Sequence, residues 1–596
     1  MVLSKRAFKW IYTGLWMLRI CFALLGTGYI HPDEHMQNGE VTSGESVSRI
    51  SHFATLIQKP EGDLLTYYTI RTWEWSAALP VRSIVPAFVT TGIPVWFAKF
   101  FLSEEHLTQG IQPTLLFRLE RFTFLVMSGL IDYSLARLIP SPTDRRLGLL
   151  LLASSHVMHT FQVRPFSNSI EAVLVALSLV LLRKITLDIM LKKRSLLHLL
   201  AIIFVTGIFT RPTFLIFGAP IAYQAALRTF ANAGTTARWL RLVISPLFTA
   251  IAACATFLVA DTLYFRGTLD DPVVTPFNFL KYNFSSHNLV EHGLHPRWLH
   301  VFVNLPMLVG PWVLLLVMYS IVDHTKLLSQ KNKLFEVDIC RTIIQIVIVS
   351  LSVLSIQPHQ EPRFLIPLLL PIIVLTANTG RLACVGKAFW VSCSIFNLVL
   401  AVLFGILHQG GVVPSLFHLH SVVTNTSVGT RINIIYWKTY MPPPHLLGIN
   451  ERDISSGKIS FTDLAGAPQD HFTASLVASD YDRSFIVTPV AMWYTLPHAI
   501  KNCMELDKPI FPHLDLDHVS ESMDAGALDG LRLGVALDSA LGGVDCMNCL
   551  SPSAKGENES SHVLINKFIT HRLPESAQGI DYLAQLLADI QSLRSG

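Results

Sequence analysis

The chain has 596 residues, of which 51% are hydrophobic and only 15% charged, with a mean hydropathy of +0.45. A soluble chain carries roughly a quarter charged residues, so a multidomain soluble protein is excluded, and the disordered, collagen-like and coiled-coil classes fall with it. A net charge of +4 is too mild for a nucleic-acid binder and suits a polytopic membrane protein with slightly basic cytoplasmic loops; eight cysteines supply no disulfide framework.

Lys5, Arg6 and Lys9 precede an apolar run over residues 10–29, broken only by Arg19 and followed by no small-residue cleavage site. The pattern predicts a signal anchor whose basic flank stays in the cytosol, so the chain emerges after Tyr29 on the luminal side. Further apolar runs lie near 119–139, 147–162, 169–182, 195–210, 213–227, 242–260, 299–321, 342–357, 364–380 and 388–408. With the first they make about eleven candidate spans, eleven to twelve helices in all, some shorter than the roughly 20 residues a crossing needs. Basic loops at Arg145/Arg146, Arg183 with Lys192–Arg194, Arg228 with Arg238 and Arg241, Lys326 with Lys331 and Lys333, and Arg381 with Lys387 alternate with weakly charged ones, as positive-inside topology requires. The run over 84–100, which contains Pro86 and Pro94, inverts every later loop if it is one crossing. It reads as re-entrant, interfacial, or one of two crossings, and a broken element buried in protein is tolerated at that depth.

This register puts three poorly hydrophobic segments in the lumen: 30–83, 261–298 and everything after 408. The chain therefore divides into a multi-span membrane domain, 1–408, with a large first luminal loop at 30–83, and a luminal C-terminal region, 409–596, of mixed α/β character, loosely ordered near 525–560. The glycosylation sequons at Asn283, Asn425 and Asn558 all fall in the lumen. Cys546-Met-Asn-Cys549 lacks a second ligand pair for zinc and suits a disulfide in an oxidising lumen, with Cys503 a further partner.

Directly after the first span stands His31-Pro32-Asp33-Glu34-His35, two carboxylates flanked by two histidines. Pro32 suits the opening of a short helix, on which adjacent side chains diverge by about 100°, so Asp33 and Glu34 are expected to serve different tasks. The aromatic series Tyr67, Tyr68, Trp73, Glu74 and Trp75 reads either as a headgroup-level belt or as a substrate wall. The second polar cluster, Gln357-Pro-His359-Gln-Glu361-Pro-Arg363-Phe364, is wedged between two apolar runs. Arg363 offers a planar fork for a phosphate, and the alternative is an internal Glu361–Arg363 pair. Arg164-Pro165 through Glu171, and Thr210-Arg211-Pro212-Thr213, read first as helix boundaries. No Walker or dinucleotide motif is present, so any transfer enzyme here takes a lipid-borne donor.

These blocks together resemble the type C glycosyltransferases that use dolichyl-phosphate mannose. Residues 359–364 resemble the His-Lys-Glu-Glu-Arg-Phe signature of the luminal α-mannosyltransferases of N-glycan and glycosylphosphatidylinositol (GPI) assembly, with Pro362 in place of the second acid. His31-Pro32-Asp33-Glu34 resembles the version in GPI mannosyltransferases that add the fourth, side-branching mannose. Thr210–Thr213, Phe277-Asn278-Phe279 with Tyr282-Asn283, and Tyr436–Pro444 also resemble blocks of that family. The likeness covers residues 10–450.

The resemblance implies an endoplasmic reticulum membrane enzyme that moves mannose from dolichyl-phosphate mannose to the third mannose of a GPI precursor, forming an α-1,2 bond. A β-linked donor and an α-linked product require inversion, hence a single displacement with one carboxylate as base: Asp33 first, Glu34 second. The departing phosphate calls for a fixed cation, Arg363 with His359 first and Arg211 second; His31, His35 and Glu361 complete the expected substrate-binding set. One or two such cations could suffice for a monophosphate without a metal; no cofactor beyond the lipid donor is expected, and the sequence carries no signal for or against a metal requirement. The expected contacts are the donor, the GPI-precursor glycolipid and membrane lipids, with no nucleic acid. The alternatives are another luminal α-mannosyltransferase, for the third GPI mannose or an N-glycan precursor, a noncatalytic membrane subunit, and a lipid or solute transporter. A transporter would favour charges near span centres and related halves, whereas the notable charges here lie at luminal ends and the halves show no similarity.

Overall fold

The structure, a computed structural model, describes residues 4–44, 67–101, 111–188, 190, 192–283, 293–327, 334–427, 429–477, 481–526 and 528–538. Cys546, Cys549, the Asn558 sequon and most of residues 525–560 lie outside them.

Each apolar run becomes helix. Among the described residues five helices are long and apolar enough to cross a membrane: Lys5–Leu25, Phe214–Ala233, Thr236–Arg266, Ile339–Ile356 and Lys387–Leu407. A sixth crossing is available if His300–Val309 and Pro311–Asp323, bent by 108°, count as one broken span. The bend falls at Gly310, whose φ of 87° is a backbone conformation open to glycine and strained for other residues. The remaining runs fall short for two reasons. Ser195–Thr210 and Pro362–Asn378 are under 18 residues, and Pro142–Ser154 has 13, about 20 Å of helix against a hydrocarbon core of about 30 Å. Pro113–Leu138 has 26 residues but carries Glu120, Arg121 and Asp132, all buried. It is a central helix that turns three of its charges inward while Arg118 and Arg137 are exposed, and it is therefore more polar than a lipid-facing span.

Arg19, the one charge in the first apolar run, meets Asp132 of that central helix at 2.5 Å, with the guanidinium wholly buried. Paired charges facing a bundle interior are the tolerated form of charge at this depth. The lipid side is the reverse: Leu247, Phe248 and Ile251 of Thr236–Arg266, and Ile395, Leu398 and Val399 of Lys387–Val402, are all more than half exposed, as an apolar solvent permits.

Residues 84–101 form one continuous helical stretch, Ile84–Ala87 and Ile93–Phe101 joined by a π turn over Phe88–Gly92. Pro86 lies in its first turn, where a missing N–H costs nothing, and Pro94 follows the π turn, which re-spaces the ladder ahead of a residue that cannot donate. The element is held from within the protein: Thr91 Oγ1 meets Thr42 Oγ1 at 3.1 Å, and Asp261 accepts from the Ser83 hydroxyl and the Ile84 amide.

Past residue 408 a 13-residue helix, Val412–Thr424, leads into a five-stranded mixed sheet. The strands are β1 (Ile432–Tyr436), β2 (Ile459–Asp463), β3 (Arg483–Pro489), β4 (Met504–Ile510) and β5 (Leu533–Asp538), in the order β2-β1-β3-β5-β4. β1 is parallel to β2 and β3, and β5 runs antiparallel to both β3 and β4. All five β1 residues are buried. Ile432, Ile434 and Tyr436 face a core shared with Val412, Leu416 and Leu419, while Ile435 and Trp437 face Phe472, Leu476 and Ile500. The two-residue side-chain period thus buries both faces of β1. One of them seats the sheet on the helical part, through Leu116 and Phe117 of the central helix.

Candidate active site

The chain leaves the first helix at Gly26 and is pinned before it reaches the acidic pair. The Tyr29 amide donates to the His408 carbonyl, and the fully buried Tyr29 hydroxyl reaches the Met441 carbonyl at 2.9 Å. Pro32 adopts helical dihedrals and opens the short helix Asp33–Met36, which turns the two carboxylates to opposite environments.

Glu34 points inward and is fully buried. Arg121 Nη2 donates to its Oε1, and Arg164 Nη1 to its Oε2 at 2.9 Å. Burial alone would raise its pKa, but the two guanidinium groups hold it below the ordinary value. His35 is equally buried, its ring among Tyr29, Phe117 and His445. Neither residue lies with the other expected substrate-binding side chains.

Asp33 turns the other way, with its side chain one-fifth exposed. Arg363 Nη1 donates to Asp33 Oδ2 at 2.5 Å, Arg363 Nη2 donates to Glu361 Oε1 at 2.8 Å, and its Nε donates to Glu361 Oε2. His359 Nε2 lies 2.6 Å from Glu361 Oε1, and His31 stands between the acids, 3.5 Å from Asp33 and 3.9 Å from Glu361. Local geometry explains the second arm: Glu361 is extended, as a residue before proline prefers, and Pro362 starts the 3₁₀ turn Pro362–Leu368 that carries Arg363 back over it. Burial would raise the Asp33 pKa, yet Arg363, then His31, hold it far below the usual carboxylate range; Glu361 is lowered likewise, against burial, by Arg363 and His31. For His31, burial and Arg363 pull the pKa down, but Glu361 and Asp33 outweigh them and raise it.

A polar chain extends from Asp33 across the site. Gln37 Nε2 donates to Asp33 Oδ2 at 2.5 Å and to Glu74 Oε2 at 3.2 Å. Glu74 is gripped by Arg82 through Nε and Nη2, and Ser167 Oγ donates to Gln37 Oε1 at 2.8 Å. Ser167 Oγ in turn receives Arg82 Nη1 at 3.2 Å and Arg211 Nη1 at 3.1 Å. Phe364 lies 5.2 Å from the Arg211 guanidinium and 5.7 Å from that of Arg363. Three buried arginines, Arg82, Arg211 and Arg363, therefore gather beside one partly accessible carboxylate. That arrangement can take a proton from a hydroxyl and compensate an anion on the same site.

Residues 57–447 match the Alg9-like mannosyltransferase family. The chain belongs to that family. It is 33% identical to GPI mannosyltransferase 4 of Aspergillus oryzae over 485 residues, 77% of this chain and 80% of that one. It is 32% identical to GPI mannosyltransferase 4 of Schizosaccharomyces pombe over 464 residues, 74% and 76% of the two chains. With human GPI alpha-1,2-mannosyltransferase 4 it shares 29% identity over 573 residues, 90% and 93% of the two. The solved structure of ArnT from Cupriavidus metallidurans bound to undecaprenyl phosphate superposes at a TM-score of 0.48 with 11% identity, covering 90% of this chain and 99% of that one.

In this Alg9-like mannosyltransferase the sequence-predicted residues His31, Asp33, His359, Glu361 and Arg363 come together, with Arg211 linked to Asp33 through Ser167 and Gln37. Sequence reading did not single out Gln37, Arg82 or Arg121, and it took Glu74 only as a member of the aromatic series. The aromatic series divides: Tyr67 and Trp75 are buried in packing, while Trp73 stacks on Tyr282 with centroids 4.0 Å apart. The first loop and the segment after Thr236–Arg266 thus share an aromatic pair at the edge of the site, reinforced by Asn278 Nδ2 donating to the Pro80 carbonyl at 2.9 Å.

Proposed function

We propose that this mannosyltransferase, with type C architecture, moves mannose from dolichyl-phosphate mannose to the third mannose of a GPI precursor, forming an α-1,2 bond with inversion in the endoplasmic reticulum lumen. The observation that carries the reading is the Arg363 fork holding Asp33 at the mouth of a three-arginine site. The names of the relatives support the acceptor and linkage.

Asp33 accepts the proton of the acceptor 2-hydroxyl as that oxygen forms its bond to the anomeric carbon. The bond from that carbon to the phosphate oxygen breaks, and dolichyl phosphate leaves with the electron pair. On donor binding the phosphate takes an Arg363 donor now held by Asp33, which frees the carboxylate and raises its basicity at the moment a base is needed. Arg82 and Arg211 add positive charge where the leaving group becomes more negative, and such stabilisation acts most in the transition state.

The test is transfer of labelled mannose from dolichyl-phosphate mannose to a three-mannose GPI lipid in membranes containing the protein. A four-mannose product sensitive to α-1,2-mannosidase is the expected result. Transfer only to a two-mannose lipid or an N-glycan precursor would move the reading to a sister activity, and no transfer to any acceptor would overturn it.

A further inference from the structure

Outside that site lies a second cluster that the proposed chemistry does not use. His35 from the first loop, Glu120 from the central helix and His445 from the turn Pro444–Leu447 converge, with one potential ligand atom from each within 4.8 Å of the others. All three residues are fully buried. His445 Nε2 lies 2.9 Å from Glu120 Oε1, and His35 Nδ1 lies 3.7 Å from Glu120 Oε2. Among the described residues neither ring nitrogen of His35 has a hydrogen-bond partner, and neither does Glu120 Oε2. Unpartnered polar atoms buried this deeply call for an explanation such as an ion.

We infer that His35, Glu120 and His445 form a structural divalent-metal site, for which zinc is the fitting ion. Two imidazoles and a carboxylate suit zinc, which takes nitrogen and oxygen at about 2.0–2.2 Å, whereas calcium and magnesium want oxygen throughout. An outer partner stands behind the His445 ring, where Glu40 Oε1 is 2.7 Å from Nδ1, while Glu34 Oε1 lies 3.8 Å from His35 Nε2, beyond hydrogen-bond reach. A carboxylate behind a ligating histidine is the usual outer arrangement of such sites, fixing tautomer and ring orientation. The dication would offset Glu120 and Glu40, while Glu34 is already answered by Arg121 and Arg164. The site has room because position 39 is glycine; a Cβ there would lie 2.7 Å from His445 Nε2 and collide with the Glu120 carboxylate.

The ion would tie together the first loop, the central helix and the segment that follows β1. His35 sits on the four-residue helix that begins with Asp33, so the site is a staple that fixes the position of the proposed base.

The experiment uses the full-length protein, purified in detergent without chelator, with metal content measured by inductively coupled plasma mass spectrometry. About one equivalent of zinc is expected, removed by 1,10-phenanthroline with a lowered melting temperature that added zinc restores. Glu120→Gln, His445→Ala and Gly39→Ala are each expected to lose the metal, whereas the exposed His498→Ala keeps it. Should the first three fail to fold, chelation and zinc re-addition on the unaltered protein still decide. Metal far below stoichiometry, with no thermal response to zinc or chelator, would overturn the site and leave His445 as a protonated bridge between Glu40 and Glu120.

Discussion

Arg363 holds Asp33 and Glu361 at once, its Nη1 2.5 Å from Asp33 Oδ2 and its Nη2 2.8 Å from Glu361 Oε1, and so joins the first loop to a turn 330 positions later. The adjacent carboxylate, Glu34, has its own arginine pair on the far side of the same short helix. One helical step separates a carboxylate that can meet a substrate from one that holds the loop down.

Substitutions at the two positions should therefore fail differently. Asp33→Asn keeps volume and removes the proposed base while Arg363 keeps Glu361, so mannose transfer is expected to fall by about 10²–10⁴-fold with a smaller fall in melting temperature than Glu34→Gln gives. Glu34→Gln leaves Arg121 and Arg164 buried without their counter-charge, a loss on the order of 3–5 kcal/mol, so lower protein yield and a lower melting temperature are expected. Thermal melting and radiolabel transfer on the same preparations separate the two outcomes; equal destabilisation by both variants would remove the division of labour.

The Arg363 clamp also sets an acid limit. Asp33 and Glu361 have folded pKa values held below their ordinary 3.8 and 4.5, so the unfolded chain binds more protons than the folded one at moderately acid pH, and stability rises with pH there. Their contribution is present above about pH 5 and declines as pH falls toward 3 and below. Arg363→Ala removes the main cause of both depressions, so its melting temperature should fall less steeply over that window than the parent's. Parallel slopes in a detergent-phase melt would show that the clamp does not exist in solution.

Much of this was legible in the sequence because charge is scarce. Against an apolar background, His31-Pro32-Asp33-Glu34 and Glu361-Pro362-Arg363 stand out as clusters, and each is local enough to be seen in one short window. Arg121 and Glu120 were not visible in the same way. They stand side by side in a helix, where they read as an ordinary local charge pair, and their partners are 87 and 325 positions away. The divergence of Asp33 from Glu34 followed from helix geometry, but which faced the site depended on those distant arginines. The 84–100 run was ambiguous because a single crossing there inverts every later loop, and its prolines suggested a break that a π turn absorbs within one helical stretch.

Gln37 is expected to position Asp33 rather than react. Its amide holds Asp33 Oδ2 at 2.5 Å while its carbonyl is fixed by Ser167. Gln37→Ala should lower kcat by about tenfold, the scale on which loosening a supporting contact acts, with donor KM little changed; Ser167→Ala should show a weaker form of the same effect. A pure KM effect would instead assign Gln37 to substrate binding.

The Arg19–Asp132 pair offers a test of the bundle apart from the site. Arg19 is wholly buried, donates to Asp132 and also to Ser128 Oγ at 3.2 Å, and lies 4.4 Å from the centroid of the Trp16 ring. Arg19→Leu strands a carboxylate among apolar helices, and Asp132→Leu strands a guanidinium, each at about 3–5 kcal/mol. The double replacement removes both charges and should recover most of the loss, because a buried pair is often no better than a well-packed apolar pair. Detergent-phase melting of the two single variants and the double variant measures the coupling; additive losses in the double variant would mean that the two side chains do not meet.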